Sequence, residues 1–164
     1  MESRAKLAGH TVHPMLVVFP LGLLATAVIF DVITLASNNG KFSEAAFYMI
    51  GAGIIAGVVA AVFGLIDWMH IPYNTRAKTV GLYHGTGNIA VTVLFGISWL
   101  LRRGSPFDPP LIALLLSFAG VGMALITGWL GAELVERHGV GVADNASLNA
   151  SSSLKQTGHA TGQA

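Results

Sequence analysis

Cysteine is absent from the 164 residues. Its absence excludes disulfides, thiolate-held iron–sulfur clusters, Cys-type zinc sites and covalently attached c-type haem. Any metal centre must therefore use nitrogen and oxygen ligands. Charge is scarce as well: Asp, Glu, Lys and Arg make up 10% of the chain, against about 25% in an ordinary soluble domain. A chain this poor in charge cannot cover a water-facing surface. The net charge of +1 is not gathered into any basic cluster, which leaves no field for nucleic acid. Gly-x-Ser-x-Gly, His-Glu-x-x-His and phosphate-loop patterns are also missing, so classical hydrolase chemistry has no support.

What the chain does have is apolar length. Hydrophobic residues make up 53% of it and its mean hydropathy is +0.66. Runs of about 20 apolar residues signal membrane-spanning helices, and four are present: Met15 to Ala36, Ala45 to Trp68, Val80 to Leu101 and Leu111 to Ala132. Turn formers and polar residues separate them, including Ser37 to Lys41, Ile71 to Arg76, and Arg102 to Pro106. Pro109-Pro110 can open a helix but not continue one. The expected fold is all-α, an integral-membrane up-down-up-down four-helix bundle. The first run is too long for a signal-peptide core and contains Asp31, so it reads as a retained helix. The bundle is expected over residues 1–142. Residues 143–164, rich in Ala, Ser, Asn and Thr, are expected to be a mobile polar tail that carries His159.

Orientation follows from Lys and Arg. With four spans, Arg4, Lys6, Arg76, Lys78, Arg137 and Lys155 fall on the side of the termini, and Lys41, Arg102 and Arg103 on the other. The positive-inside rule then places both termini in the cytoplasm. The expected location is a bacterial inner membrane.

Ionisable side chains in spanning helices are costly, about 2.5–3.5 kcal/mol at the centre on insertion scales, and call for a reason. His10 and His13 lie at the start of the first helix, Asp67 and His70 at the end of the second, His84 one turn into the third, and Glu133 at the end of the fourth. In an up-down bundle all of these meet at one face. Snorkelling at helix ends accounts for carboxylates such as Asp67, Glu133 and Glu136, and Glu133 with Arg137 has the spacing of an i,i+4 ion pair. Histidines gathered at one face are harder to explain that way. His84 is the deepest, and Asn88 at i+4 extends a polar stripe into the membrane. Asp31 is the exception, near the opposite face and about five turns after His13, with Pro20 between them as a potential kink.

Two site constellations follow. His13 and His84, on different helices, can clamp a haem iron from both sides, with His70 as the substitute ligand. Alternatively, His-x-x-His at His10 and His13 and Asp-x-x-His at Asp67 and His70, joined by His84 and Glu133, offer nitrogen and oxygen ligands to a transition metal ion. A ligating imidazole needs its second nitrogen held by a carboxylate or carbonyl, and Asp67 or Glu133 can serve. Gly81 and Gly85 flank His84, where a flat cofactor needs small neighbours. Close helix approach explains the same glycines, together with Gly53, Gly57 and those of the fourth helix, and a homo-oligomer through the Gly-rich faces is a further expectation. Trp68, Tyr73, Tyr83, Trp99 and Trp129 read as interfacial belt residues.

Several stretches resemble a widespread bacterial family of membrane domains of unknown function. They are His10-Thr11-Val12-His13-Pro14 through Gly22, Gly64-Leu65-Ile66-Asp67, Ile71-Pro72 through Arg76 to His84 and Asn88, and Gly128-Trp129-Leu130-Gly131-Ala132-Glu133-Leu134-Val135 with Arg137-His138-Gly139-Val140. The resemblance covers residues 8 to 142, and Ala132 stands where that family often has glycine. The family resembles the four-helix cores of membrane b-type cytochromes, and some members carry Rieske-type domains. The resemblance thus implies a redox context: haem b as cofactor, a redox protein or quinone as partner, and the lipid bilayer as surroundings. The alternatives from the residues alone are a non-haem metal protein acting as sensor, carrier or oxidase, and a non-catalytic membrane scaffold or partner subunit.

Overall fold

The computed structural model describes residues 1–153; His159 and the rest of 154–164 lie outside the described residues. A two-strand hairpin, β1 (Lys6–Leu7) and β2 (His10–Thr11), precedes five helices: α1 (Val12–Leu16), α2 (Val18–Ser37), α3 (Gly40–His70), α4 (Arg76–Arg102) and α5 (Leu111–Glu136). α1 and α2 form one spanning unit, and each of the four units is long and apolar enough to cross a membrane. The joint at Val17 lies one turn before Pro20, whose ring cannot donate back to the preceding turn.

The helix ends extend past the apolar runs because local chemistry, not hydropathy, stops them. Asn38 closes α2 in the left-handed conformation, φ 53°. The side chain of Asn39 then caps α3 by accepting from the Lys41 N–H. Ile71, forced into extended backbone by Pro72, ends α3. The Thr75 hydroxyl opens α4 by accepting from the Lys78 N–H. Pro110 precedes α5.

α2 packs along α3 and α4 along α5, with lesser α3–α4 and α2–α5 contacts. The contacts run antiparallel. A methyl group on Gly53 would meet Leu24 and one on Gly64 would meet His13; on the other hairpin, Gly120 faces Phe95 and Gly131 faces His84. The buried core is small, centred on Ala27, Ala46, Ile50, Val91 and Phe95. Outward positions are apolar: Ile55 is 69% exposed, Ile89 65% and Leu125 71%. Such a surface suits hydrocarbon and not water.

His10 lies in β2, an exposed strand, and not in a helix. The turn through Ala8 (φ 50°) and Gly9 (φ 83°) keeps this segment out of the helix. His10 and His13 therefore do not share a helical face, which corrects the i,i+3 expectation. The segment before α1 straps across the end of the bundle instead. Ser3 Oγ donates to buried Asp67 at 2.6 Å, the Met1 ammonium donates to the Gly139 carbonyl at 3.2 Å, and Thr11 Oγ1 donates to the Gly141 carbonyl at 3.0 Å. On its outer side the Lys6 ammonium donates to Glu2, which holds the Glu2 carboxyl below the usual carboxylate range.

A first prediction concerns topology. Single cysteines at exposed Ser37 and Ser105 should be labelled from one side of the membrane, and one at Tyr73, 80% exposed, from the other. The absence of native cysteine makes the experiment clean. Labelling of positions 37 and 73 from the same side would contradict the arrangement.

Candidate cofactor site

His13 and His84 come together inside the bundle. Their ring centroids are 6.4 Å apart and the ring planes are nearly perpendicular, at 88°. Each ring is held the same way. His13 Nδ1 is 2.8 Å from the Ala60 carbonyl on α3, and His84 Nδ1 is 2.8 Å from the Thr127 carbonyl on α5. A carbonyl only accepts, so Nδ1 carries a proton in both rings, and in the neutral form of each ring the lone pair is then on Nε2. That tautomer is one that can bind a metal through Nε2. Each ring also lies in a notch cut by a glycine one turn beyond its carbonyl. A Cβ on Gly64 would stand 2.8 Å from His13 Cε1, and one on Gly131 would stand 3.0 Å from His84 Cε1.

The match extends along both hairpins. The shift of 71 residues that separates Asp31 from Arg102 also carries His13 to His84 and Leu24 to Phe95. A second constant shift carries Ala46 to Ala113, Gly53 to Gly120, Ala60 to Thr127 and Gly64 to Gly131. Gly53 meets Leu24 as Gly120 meets Phe95. α1–α3 and α4–α5 are thus two copies of one hairpin design, and the two histidines occupy equivalent positions. A family model described as "Predicted membrane protein (DUF2231)" matches residues 9–144. The chain belongs to that family. No curated protein and no solved structure matches it.

The twofold match breaks at the polar residues around His84. Asn88 Nδ2 donates to the His84 carbonyl at 2.9 Å and lies 3.2 Å from His84 Nε2, while Asn88 Oδ1 accepts from Thr127 Oγ1 at 3.1 Å. On the His13 side the corresponding residues are Val17 and Ala60. Among the described residues, Nε2 of His13 has no hydrogen-bond partner, and the Asn88 contact is the single polar one at Nε2 of His84.

The other expected ligands lie elsewhere. His70 is exposed and turns back onto its own helix, with Nδ1 2.7 Å from the Ile66 carbonyl. His10 Nδ1 is 3.2 Å from the Ala8 carbonyl. Asp67 is engaged by Ser3, so neither it nor Glu133 supports an imidazole; backbone carbonyls do that. Glu133 and Arg137 form no ion pair among the described residues, although the Arg137 N–H still closes the last helical turn on the Glu133 carbonyl. Among the described residues no three of His, Asp or Glu converge on a point that could hold a metal ion. The six-residue set His10, His13, His70, His84, Asp67 and Glu133 is therefore not assembled. Gly81 serves close helix approach: a Cβ there would stand 2.7 Å from Trp68 Cδ1. Gly85 faces open space and does not wall the histidine site.

Sequence reasoning missed both glycine notches, both carbonyls and the duplication. One signal was legible. Arg102 follows His84 by the same five turns that separate Asp31 from His13.

Proposed function

We propose that the chain is a membrane redox module in which His13 and His84 would hold a haem b. The observation that carries this reading is the matched presentation of the two imidazoles, each with Nδ1 on a carbonyl, each in a glycine notch, one from each hairpin. With metal–nitrogen bonds of about 2.0 Å, two imidazoles whose centroids lie 6.4 Å apart are close enough for both to reach one metal. A haem supplies its own equatorial ligands and asks the protein for only two. A bare transition metal ion needs a fuller protein ligand set, and the described residues gather only the two histidines, which favours haem over the non-haem alternative. When bound, the haem supplies one-electron chemistry, and the chain supplies the tautomer, the ring orientation and a surround of apolar helices. Asn88, 3.2 Å from His84 Nε2, would have to give up that contact for His84 to hold the haem.

The site lies nearer the end of the bundle that holds the termini. An electron partner, a membrane quinone or a redox protein, would meet it from there. Arg102 is buried and paired with Asp31, so it no longer counts as a loop charge. Lys41 and Arg103 alone then oppose the cations on the other face, which strengthens the assignment of both termini to the cytoplasm of a bacterial inner membrane.

The visible spectrum of detergent-purified protein tests the function directly: a Soret band that shifts on reduction is expected. Protein grown with ample haem and purified without one would contradict the reading. The notches give a graded test. Gly64→Ala places a methyl group against the His13 ring and should weaken haem retention about 10–100-fold, as changes behind a ligand typically do. Gly22→Ala, where nothing lies within reach of the added Cβ, should leave it unchanged.

A further inference from the structure

The chain before α1 crosses the end of the bundle that holds the histidine pair. We propose that this strap is a lid: it closes the polar route to His13 and His84, and release of its latch, Ser3 on Asp67, admits water-soluble molecules from that side. Such a lid controls access to the two imidazoles whether or not they hold a haem.

The layer just outside the histidines fixes the place. The shift that carries Gly64 to Gly131 also carries Asp67 to Leu134. Each of these two lies three residues beyond its glycine notch, on the same helical face and about 4.5 Å nearer the end of the bundle. Both are buried, although they stand in the last turns of α3 and α5. Over Asp67 the cover is the strap. Ser3 is the one buried residue among 1–11, and its hydroxyl donates to Asp67 at 2.6 Å while accepting from the Ala5 N–H at 3.0 Å. Over Leu134 the chain after α5 folds back, with the Val140 N–H on the Leu134 carbonyl at 2.9 Å. The strap is tied to that segment at both of its ends: the Gly141 N–H donates to the Met1 carbonyl at 3.0 Å, and Thr11 Oγ1 donates to the Gly141 carbonyl at 3.0 Å. It therefore bridges the two hairpins, with Asp67 of one and Gly141 beyond the other as anchors. The fastening is light. Apart from Ser3 the strap is exposed or half-buried, and the Glu2–Lys6 pair is internal to it. A segment held by a few polar bonds, with almost no buried apolar surface, opens locally at far lower cost than the whole bundle unfolds.

The test uses the full chain in detergent. Leu134→Cys puts a thiol in the covered layer of a chain with no native cysteine, and its rate of reaction with a charged, water-soluble maleimide reports opening. It should react far more slowly than Tyr73→Cys, at an exposed position on the same side of the bundle. Adding Ser3→Ala should speed position 134 about five- to tenfold, the usual weight of a side-chain hydrogen bond, and leave position 73 as it was. Ser3→Thr keeps the hydroxyl and should restore most of the slow rate. Ala27→Cys, in the buried core, should stay unreactive in both backgrounds; a rise there in step with position 134 would mean general loosening and overturn the proposal. Native-state hydrogen exchange gives a second reading without the Leu134 substitution. In Ser3→Ala the Val12 amide, bonded to the Ala5 carbonyl at 3.0 Å, and the Gly141 amide should exchange faster, while amides in the middle of α3 keep their protection. Equal labelling of positions 134 and 73 with the strap unsubstituted would show that the layer is open and overturn the lid, as would rates indifferent to Ser3→Ala in both measurements.

Discussion

His84→Ala should strip haem from the purified protein, and His13→Ala should do the same to a similar degree. On the proposed reading each histidine would hold the haem iron, and the two hairpins present them equivalently, with matching 2.8 Å bonds to the Ala60 and Thr127 carbonyls. Losing either would take away half of the protein's hold on the haem. His70→Ala and His10→Ala should keep the full complement, because both rings turn toward local carbonyls away from the pair. His159→Ala should match the parent. Haem per protein, from the pyridine haemochrome spectrum, decides among these. The ferric protein should also carry a distinctive signature. If both rings kept their nearly perpendicular planes, at 88°, on binding haem, the two iron orbitals that overlap with them would be close in energy. Its low-spin EPR spectrum should then be dominated by one large-g feature and not by a well-spread rhombic set. Retention of full haem by His84→Ala would remove His84 as a ligand. A rhombic spectrum from a protein that needs both histidines would keep the ligands and discard the ring geometry.

The largest stability effect should come from the other end of the bundle. Asp31 and Arg102 are both fully buried and joined by two parallel bonds of 2.7 Å. Arg102 also donates to Ser98 and Ser117, and Ser98 bonds the Ala113 carbonyl at 2.7 Å. The network ties α2, α4 and α5 together. Arg102→Met would leave the Asp31 carboxylate buried without its partner and should cost about 3–5 kcal/mol. Asp31→Leu alone should do comparable damage by stranding the guanidinium. The double variant Asp31→Leu, Arg102→Met removes both charges at once and should recover most of the loss, since buried ion pairs are often replaceable by apolar residues of similar volume. Unfolding in mixed micelles, compared across the four proteins, gives the coupling directly. Additive losses would mean that the two residues stabilise the bundle independently. Because this network lies about five turns from the histidines, the double variant should still bind haem.

The membrane character and the four spans were legible in the sequence, since a bilayer demands a run length and a shortage of charge that both show in one dimension. So was the exclusion of thiolate ligands, because it follows from the missing cysteine. The choice of His13 and His84 could be framed from helix ends alone, for alternating helices bring the start of the first and the start of the third to one face. What the sequence could not settle was which further groups join them. His10, His70, Asp67 and Glu133 lie at the same face, and periodicity describes each helix separately. It carries no information on the rotation of one helix against another. That rotation is set by packing: Gly53 against Leu24 and Gly120 against Phe95 seat the hairpins, and this seating turns Ala60 and Thr127 toward the imidazoles while Asp67 meets Ser3. Arg102 shows the same limit. In one dimension it ends an apolar run and reads as a loop cation. In three dimensions it turns inward to Asp31, because an unpaired carboxylate inside the bundle would be far more costly than a paired one. Composition and run length therefore determined where the chain resides and how often it crosses. Only the tertiary structure decided which polar groups meet, because those meetings depend on contacts between helices that no single helix encodes.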